Sequence, residues 1–425
     1  MEISGGRELS GEILASGAKN AALPVLCATL LCSEPVKITN VPNLEDVNLC
    51  LRLLDTFGAE TGFNNGIVEV SVPSLKAAEA SYSLVKALRA SFWVLAPLLS
   101  RGGAARVALP GGDIIGARPV DMHLEALGKM GAEIKVKNGV VFATAASGLK
   151  GAEINFRFPS VGATHQVLMA ASLARGTTLL KGAAREPEVV ALADFINAAG
   201  GDIEGAGSDT IVIRGKEELA GANFSLIGDR IEAATYLLAA AASGGCVTVA
   251  GVNPLHLRPL PDILLQAGCD IAVGRDKITI SSQRRLKPLK VTTAPYPGFA
   301  TDMQALLMAA LTIADGVSVI EETVFEGRFG HVAELCRMGA NISVRDQVAT
   351  ITGVECLSAA PVEALDIRAG AALVIAALAA EGTSRIYEIQ HLRRGYERLE
   401  EKFSSLGALI GKRLSDPEDY LLTGC

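Results

Sequence analysis

The chain contains the string Met130-Gly131-Ala132-Glu133-Ile134, and similar strings recur at five other places in its 425 residues. The other five are Phe57-Gly58-Ala59-Glu60, Ala199-Gly200-Gly201-Asp202-Ile203, Ala267-Gly268-Cys269-Asp270-Ile271, Met338-Gly339-Ala340-Asn341-Ile342 and Leu406-Gly407-Ala408-Leu409-Ile410. Their glycines are 68 to 73 residues apart. Spacing this regular is typical of an internal repeat, so it predicts six copies of one structural unit.

The residues around each glycine predict the content of one copy. Apolar residues at helical spacing precede the glycine, as at Val120, Leu124 and Leu127, and a short β-like run follows it. We therefore expect the glycine to end a helix with a positive φ. Each copy also has an Ala/Leu-rich segment upstream, such as residues 163–174 or 231–242. The predicted order is strand, buried helix, strand, amphipathic helix, strand.

The six copies predict an α/β protein of two similar domains. A chain of this length exceeds what one hydrophobic core usually supports. The Ala/Leu-rich helix is apolar nearly all round, so we expect it inside, with the sheets and second helices outside. Each domain is then an inside-out α/β barrel of three repeated units. We expect residues 19–227 to form one domain, residues 1–18 and 228–425 to form the other, and a ligand cleft to lie between them.

Composition excludes several classes of function. A net charge of -7 gives no general attraction for nucleic acid or an anionic membrane. The longest uncharged stretches, 20–33 and 303–314, are shorter than a membrane span of about 18 to 20 residues. Residues 1–11 are charged and lack the apolar region of a signal peptide, which predicts a cytoplasmic protein. The eight cysteines form no CxxC pair and no cluster with histidine, so neither a metal site nor a disulfide framework is expected.

Two of the segments that interrupt the repeats carry polar side chains at predicted turns. Lys19 lies at the start of the apolar segment 16–24, where it either contacts an anion or extends from a helix end into solvent. The loop 109–119 has three glycines and two prolines, and it presents Asp113 and Arg118. It is either a shaped binding loop or simply a long turn. It contains neither a Walker motif nor a dinucleotide fingerprint.

Further polar residues recur at corresponding places. Asp302 follows the rigid segment 295–300, where it either accepts a proton from a substrate hydroxyl or caps a helix, a role that Thr301 could also fill. Guanidinium groups match phosphate and carboxylate oxygens, so a set of arginines favours a substrate that carries both groups. Any single arginine is better explained as a surface ion-pair partner, and only the set of five favours a site. The set consists of Arg89, Arg230, Arg328, Arg368 and Arg394.

Seven motifs in order resemble those of the UDP-N-acetylglucosamine 1-carboxyvinyltransferase family, the enolpyruvyl transferases of peptidoglycan precursor synthesis. They are SGAKNAALP (16–24), LPGG-x-x-IGARPVD (109–121), SVGAT (160–164), AAREPE (183–188), TDMQ (301–304), FExRF-x-H (325–331) and RGYER (394–398). The resemblance extends from Gly5 to about Lys412. It implies the enolpyruvyl transferase fold and transfer of the enolpyruvyl group of phosphoenolpyruvate to the sugar 3-hydroxyl by addition and elimination, with release of phosphate and without a metal or organic cofactor. Nothing in the sequence indicates a protein partner.

The resemblance also implies roles for individual residues. Lys19, Arg118 and Arg394 would hold the phosphate, Arg328 and Arg368 would bind the carboxylate or support the closed form, and Arg89 would line the site. Asp302 would take the hydroxyl proton. The UDP-sugar would be bound by Asn20, Arg118, Pro119, Ser160, Val161, Gly162, Asp302 and Val324.

Asp113 departs from the pattern of the family. Many members have Cys at this loop position, and there it is assigned as the acid that protonates C3 of phosphoenolpyruvate and as the target of fosfomycin. A carboxyl group can transfer the same proton if it is protonated near neutral pH. Two alternatives stay open: transfer to shikimate 3-phosphate, and a non-catalytic paralogue that binds UDP-sugar and regulates a partner.

Overall fold

The computed structural model describes residues 1–80, 82–111, 115–283 and 285–411. Its strands are β1 Glu2–Ser4, β2 Leu9–Leu14, β3 Val36–Thr39, β4 Glu60–Asn64, β5 Ile67–Ser71, β6 Ala104–Ala108, β7 Glu133–Lys137, β8 Val140–Thr144, β9 Glu153–Asn155, β10 Thr177–Lys181, β11 Ile203–Glu204, β12 Thr210–Arg214, β13 Asn223–Ser225, β14 Gly245–Ala250, β15 Asp270–Val273, β16 Lys277–Ser282, β17 Lys290–Thr292, β18 Val317–Glu321, β19 Asn341–Arg345, β20 Val348–Thr352, β21 Pro361–Glu363, β22 Thr383–Tyr387 and β23 Leu409–Gly411.

Its α-helices are α1 Lys19–Ala28, α2 Glu45–Thr56, α3 Tyr82–Ala87, α4 Leu95–Gly102, α5 Asp121–Lys129, α6 Val161–Ser172, α7 Pro187–Ala198, α8 Arg230–Ser243, α9 Leu260–Gln266, α10 Gln304–Leu311, α11 Val332–Arg337, α12 Ile367–Ala379, α13 Gln390–Arg393 and α14 Leu399–Ser405. Short 3-10 helices cover Thr29–Leu31, Arg89–Val94, Pro254–Leu257 and Thr301–Met303.

The chain divides into two compact units. Unit 1 comprises the described residues of 1–15, 230–294 and those from 299 onward, and unit 2 comprises those of 16–229 and 295–298. Unit 1 contains three sheets, with strand orders β21-β22-β1-β23, β15-β16-β14-β2 and β17-β18-β20-β19. Unit 2 also contains three, ordered β13-β3-β5-β4, β11-β12-β10-β9 and β6-β8-β7. Each unit has its own hydrophobic core.

The helices at the centre of each unit confirm the inside-out arrangement. In unit 1, every residue of α8 and of α10 is buried, and α8, α10 and α12 contact one another. In unit 2, α6 is buried from Ala163 to Ser172, and it contacts α4 and α7. A helix that is apolar all round can be stable in water only if it is enclosed, and the sheets provide that enclosure.

The six predicted helix ends have one common geometry. The glycines at 58, 131, 200, 268, 339 and 407 have φ between +91° and +95°. In each case the glycine N–H donates to a carbonyl three residues back, and the following N–H donates to one five residues back. This is the Schellman motif, which satisfies carbonyls that the helix leaves unpaired. The prediction made from the repeated string is therefore confirmed at all six positions.

The predicted content of one copy was wrong in one respect. A two-stranded hairpin follows the glycine where one strand was expected, and five such hairpins lie within the described residues. Two of them turn at Asn65-Gly66 and Asn138-Gly139, all four residues having positive φ. Asn-Gly supplies these conformations in two-residue hairpin turns. These Asn-Gly dipeptides are the sequence signal for two of the hairpins.

The N-terminal segment forms two strands in two different sheets of unit 1. β1 pairs with β22 and β23, and β2 pairs in parallel with β14. The described cysteines are all free, and four of them are buried. No helix in the described ranges has the length and apolar character needed to cross a membrane.

Candidate active site

Nine of the residues singled out from the sequence lie at or just before the N-terminal ends of buried helices. Backbone N–H groups at such ends have no partner within their own helix, and the helix dipole is positive there, so negatively charged groups are favoured. In unit 1 these positions hold Arg230 on α8, Asp302 before α10 and Arg368 on α12. In unit 2 they hold Lys19 and Asn20 on α1, Arg89 before α4, and Ser160, Val161 and Gly162 at α6.

Asp302 is the centre of a charged cluster in unit 1. Its Oδ1 accepts a hydrogen bond from Nη2 of Arg328 at 2.6 Å, and its Oδ2 accepts one from Nη2 of Arg368 at 3.1 Å. Both arginine side chains are almost fully buried, whereas that of Asp302 is 26% exposed. The aspartate therefore presents the accessible edge of an otherwise buried arrangement. It does not cap a helix, so the capping alternative is wrong for this residue.

The two arginines dominate the acidity of Asp302. Burial by itself raises the pKa of the carboxyl group, but the charges of Arg328 and Arg368 outweigh it and hold the pKa well below its usual range. His331 lies nearby, and burial together with Arg328 lowers its pKa to about 3, so it is neutral at pH 7. The described cluster at neutral pH thus holds one carboxylate and two guanidinium cations.

Each arginine of this cluster is itself held in place. Nη1 of Arg368 donates to the hydroxyl of Tyr396 at 3.3 Å, and that hydroxyl is 2.9 Å from Oγ1 of Thr235 on α8. The guanidinium of Arg368 also lies 5.7 Å from the centre of the Tyr396 ring, within the range of a cation–π contact. Nη1 of Arg328 donates to Oγ1 of Thr301 at 3.2 Å. These contacts hold both guanidinium groups in place beside Asp302.

Arg394 and Val324 lie in the same unit. Arg394 directly follows α13, is half-buried and precedes Tyr396 by two residues. The backbone N–H of Val324 donates to Oε1 of Glu322 at 2.8 Å. This contact fixes the backbone of Val324 just beyond the end of β18.

Lys19 forms a buried ion pair in unit 2. Its Nζ lies 2.7 Å from Oδ2 of Asp46, which belongs to the first turn of α2, and both side chains are almost fully buried. The backbone N–H of Lys19 donates to Oδ2 of Asp229 at 3.1 Å. The lysine thus does not extend from the helix end into bulk solvent. Asp46 and Asp229 orient it, and neither was identified from the sequence.

Arg89 and Arg118 form a second cationic group in unit 2. Nη2 of Arg89 donates to the backbone carbonyl of Arg118 at 2.5 Å. Burial, with a smaller contribution from the charge of Arg118, lowers the pKa of Arg89 to about 10, so it remains charged at pH 7. Arg118 has φ of +44°, which is uncommon for a residue other than glycine. Pro119, next to it, is exposed.

The turn that begins α6 is held by aromatic and imidazole groups. Oγ of Ser160 caps the helix by accepting from the N–H of Ala163 at 3.3 Å. Nε1 of Trp93 donates to the carbonyl of Gly162 at 3.0 Å. A Cβ at position 162 would lie 3.2 Å from the ring of His123, so the approach of this ring favours glycine. The turn is thereby rigid, as a recognition element needs to be.

Asp113, predicted as the proton donor, lies outside the described residues. The adjacent residues from Ile115 to Pro119 are described and contain neither helix nor strand. Within the described part of the chain, no group of three or more His, Cys, Asp or Glu side chains could hold a metal ion.

Comparison with known sequences places this arrangement in a family. The sequence model of EPSP synthase (3-phosphoshikimate 1-carboxyvinyltransferase) matches residues 3–403. A UDP-N-acetylglucosamine 1-carboxyvinyltransferase of Trichlorobacter lovleyi is 48% identical over 415 residues, which is 98% of this chain and 99% of the relative. The proteins of that name from Geobacter metallireducens and, as its enzyme 2, from Carboxydothermus hydrogenoformans are also 48% identical, each over 97% of this chain and 99% of the relative.

Solved structures agree with the sequence comparison. The enolpyruvyl transferase NikO from Streptomyces tendae is 29% identical, with a TM-score of 0.86 over 96% of this chain and 97% of its own. An EPSP synthase from Acinetobacter baumannii has a TM-score of 0.72 over 97% of this chain and 99% of its own. At 21% identity it supports the fold alone. By both its sequence and its fold, the chain belongs to the EPSP synthase family of enolpyruvyl transferases.

Proposed function

We propose that this protein transfers the enolpyruvyl group of phosphoenolpyruvate to the 3-hydroxyl of UDP-N-acetylglucosamine and releases phosphate. In the cell this would be the first committed step of peptidoglycan precursor synthesis. The observation that carries the proposal is the 48% identity, over 97 to 98% of the chain, to three proteins that are named for this activity. The cluster around Asp302 supports it, since it combines an accessible carboxylate with cations that suit an anionic substrate.

The reaction has two stages, and each needs proton transfer. In the addition, the sugar hydroxyl oxygen forms a bond to C2 of phosphoenolpyruvate, its proton passes to Asp302, and C3 takes a proton from Asp113. In the elimination, C3 returns a proton to the Asp113 carboxylate, the bond between C2 and the phosphate oxygen breaks with release of inorganic phosphate, and the C2–C3 double bond forms again. Positioned acids and bases typically contribute about 10²- to 10⁴-fold to such steps.

Asp302 needs a change of partners in order to act as a base. A carboxylate held by two guanidinium groups is a weak proton acceptor, because its pKa is lowered. Phosphoenolpyruvate carries a carboxylate and a phosphate, which are stronger partners for Arg328 and Arg368. When these arginines contact the substrate, they leave Asp302 more basic. Binding of phosphoenolpyruvate therefore prepares the base for the acceptor hydroxyl.

Other residues bind the substrates in this proposal. Lys19, Arg118 and Arg394 hold the phosphate, and Arg89 lines the site. The UDP-sugar is bound by Asn20, Arg118, Pro119, Ser160, Val161, Gly162, Asp302 and Val324. The rigid turn at the start of α6 and the fixed backbone of Val324 support these roles, since specific contacts need preorganised groups.

The acceptor distinguishes this proposal from transfer to shikimate 3-phosphate. The family model carries the shikimate name, but the shikimate-type structures are only 20 to 21% identical to this chain. A non-catalytic regulatory role is the second alternative, and it is suggested only by Asp113 in place of the usual Cys.

The test is release of inorganic phosphate from phosphoenolpyruvate by the purified full-length protein. We expect release that requires UDP-N-acetylglucosamine and that shikimate 3-phosphate does not support. An Asp302→Asn variant serves as the catalytic control, and mass spectrometry identifies the enolpyruvyl product. Release supported only by shikimate 3-phosphate would establish the first alternative. Binding of UDP-N-acetylglucosamine without any turnover would establish the second.

A further inference from the structure

Glu322 is a fully buried carboxylate directly after β18. The sequence motifs identify neighbouring residues of this segment as candidates for the site, but not Glu322 itself. It accepts four hydrogen bonds. Oε1 accepts from the N–H of Val324 at 2.8 Å, the N–H of Phe325 at 3.1 Å and Oγ1 of Thr293 at 2.9 Å. Oε2 accepts from Oγ1 of Thr301 at 2.8 Å. A buried carboxylate is costly unless it is well bonded, and this one is.

The two oxygens of Glu322 hold different parts of the cluster. Through Oε2, the carboxylate orients Thr301, whose hydroxyl oxygen accepts from Nη1 of Arg328. Thr301 is also the residue before Asp302, so this connection sets both the turn that carries Asp302 and one of its cationic partners. We call it the Thr301 arm.

The other oxygen holds the loop beyond β18. Through Oε1, Glu322 fixes the backbone N–H groups of Val324 and Phe325, and Thr293 completes the arrangement by accepting from the N–H of Thr323 at 2.9 Å. We call this the Thr293 arm. It reaches the residue proposed to contact the UDP-sugar through its backbone.

We propose that Glu322 is a positioning residue that aligns the Asp302 turn with the Val324 backbone and so sets the base in register with the acceptor sugar. The inference rests on the proposed function. Glu322 itself touches neither reacting atom. Because each arm holds a different segment, a change in one arm should affect one kinetic parameter more than the other.

The experiment removes one hydroxyl from each arm. Replacing Glu322 by Ala would leave four donors unpaired in the interior and could unfold unit 1, so it is a poor test. Thr301→Val and Thr293→Val each remove one hydroxyl that donates to Glu322 and keep nearly the same side-chain volume. They form a matched pair, and Thr301→Ser and Thr293→Ser restore the hydroxyl as rescue controls.

We expect the two valine variants to change different kinetic parameters. Thr301→Val should lower kcat about tenfold and leave KM for UDP-N-acetylglucosamine within about twofold, because two hydrogen bonds with charged partners, one to Glu322 and one from Arg328, are lost at the turn that carries the base. Thr293→Val should raise that KM about tenfold and change kcat less than about threefold. The serine variants should return both parameters to near the wild-type values.

Calorimetric binding of UDP-N-acetylglucosamine provides a readout that is independent of turnover. Thr293→Val should weaken binding about tenfold, whereas Thr301→Val should bind as the wild type does. Circular dichroism establishes that the folded fraction is unchanged. If both valine variants change the same parameter, or if neither changes any parameter, the positioning role of Glu322 is refuted. Absence of phosphate release by the wild type would instead refute the proposed function.

Discussion

Asp302 combines an accessible carboxylate with two buried cationic partners. We expect this arrangement to determine how the reaction rate depends on pH. The profile of kcat/KM for phosphoenolpyruvate reports the free protein, and that of kcat reports the complex. In the free protein Arg328 and Arg368 hold the pKa of Asp302 well below its usual range, so the residue stays ionised over the whole assay range. In the proposed complex these arginines contact the substrate instead, so we expect the pKa of Asp302 to rise.

We therefore expect the acidic limb of kcat to lie at higher pH than that of kcat/KM. A base must be ionised, so a higher pKa moves the loss of activity on acidification to higher pH. The measurement is initial rates of phosphate release between about pH 4.5 and 9. Asp302→Asn should lose at least about a hundredfold in kcat. Coincident acidic limbs in the two profiles would contradict the exchange of partners.

The residue Asp113 carries a separate prediction, which comes from the sequence. A carboxylate is a weaker nucleophile toward an epoxide than a thiolate. Fosfomycin should therefore cause no time-dependent inactivation, and Asp113→Cys should become sensitive to it. Preincubation assays and intact-mass measurement of both proteins check this, and a covalent adduct on the wild-type Asp113 would overturn it. Asp113→Asn should lose most of the turnover, since it cannot donate the proton.

The candidate site was partly predictable from the sequence, for a physical reason. Asp302, Arg328 and Arg368 are a carboxylate and guanidinium groups beside turns, and the structure brings all three together. Glu322 and Thr293 were not identified, because a Glu at a strand end resembles an ordinary surface residue. Their importance comes from tertiary contacts across 29 residues of chain, which no local pattern records.

At the scale of the element, the helix ends were predictable and the hairpins were not fully so. A glycine at fixed distance after an apolar period specifies a left-handed residue, and six of six have it. The second strand of each hairpin follows from turn chemistry. At Asn65-Gly66 and Asn138-Gly139 that signal is plain. It occupies only two residues, however, whereas the repeat pattern extends over a much longer segment.

The helix α5 allows a controlled test of this geometry because it has glycines of both kinds. Gly131 has φ of +93°, Gly128 lies within the helix, and a Cβ at either position meets no atom within 4 Å. Gly131→Ala should therefore lower the free energy of unfolding by about 1–2 kcal/mol through backbone strain alone. Gly128→Ala should raise it by about 0.5–1 kcal/mol.

Urea denaturation followed by circular dichroism measures both changes. If the two Gly→Ala substitutions, three residues apart, change the free energy of unfolding in opposite directions, the left-handed conformation at the helix end is the cause. Equal effects of the two substitutions would show that the conformation at Gly131 imposes no strain.

At the scale of the whole molecule, the sequence predicted two sets of three repeats, and the structure has three sheets in each of two units, each around its own core. This prediction was possible because the structure expected for one repeat applies to all six. The residues that interrupt the repeat follow no periodic pattern, so their tertiary contacts cannot be predicted from the sequence. The scaffold is thus more predictable than the chemistry it supports.

The burial of Arg328 and Arg368 has a consequence for the effect of salt on this protein. The net charge of -7 repels an anionic substrate at long range, and dissolved ions screen that repulsion beyond about 10 Å at 0.1 M. Arginines enclosed by protein are screened much less. From 0.02 to 0.2 M KCl we therefore expect kcat/KM for phosphoenolpyruvate to change less than about threefold. A steep decline would indicate capture by exposed surface charges, so tolerance of ionic strength is a property that these buried cations confer.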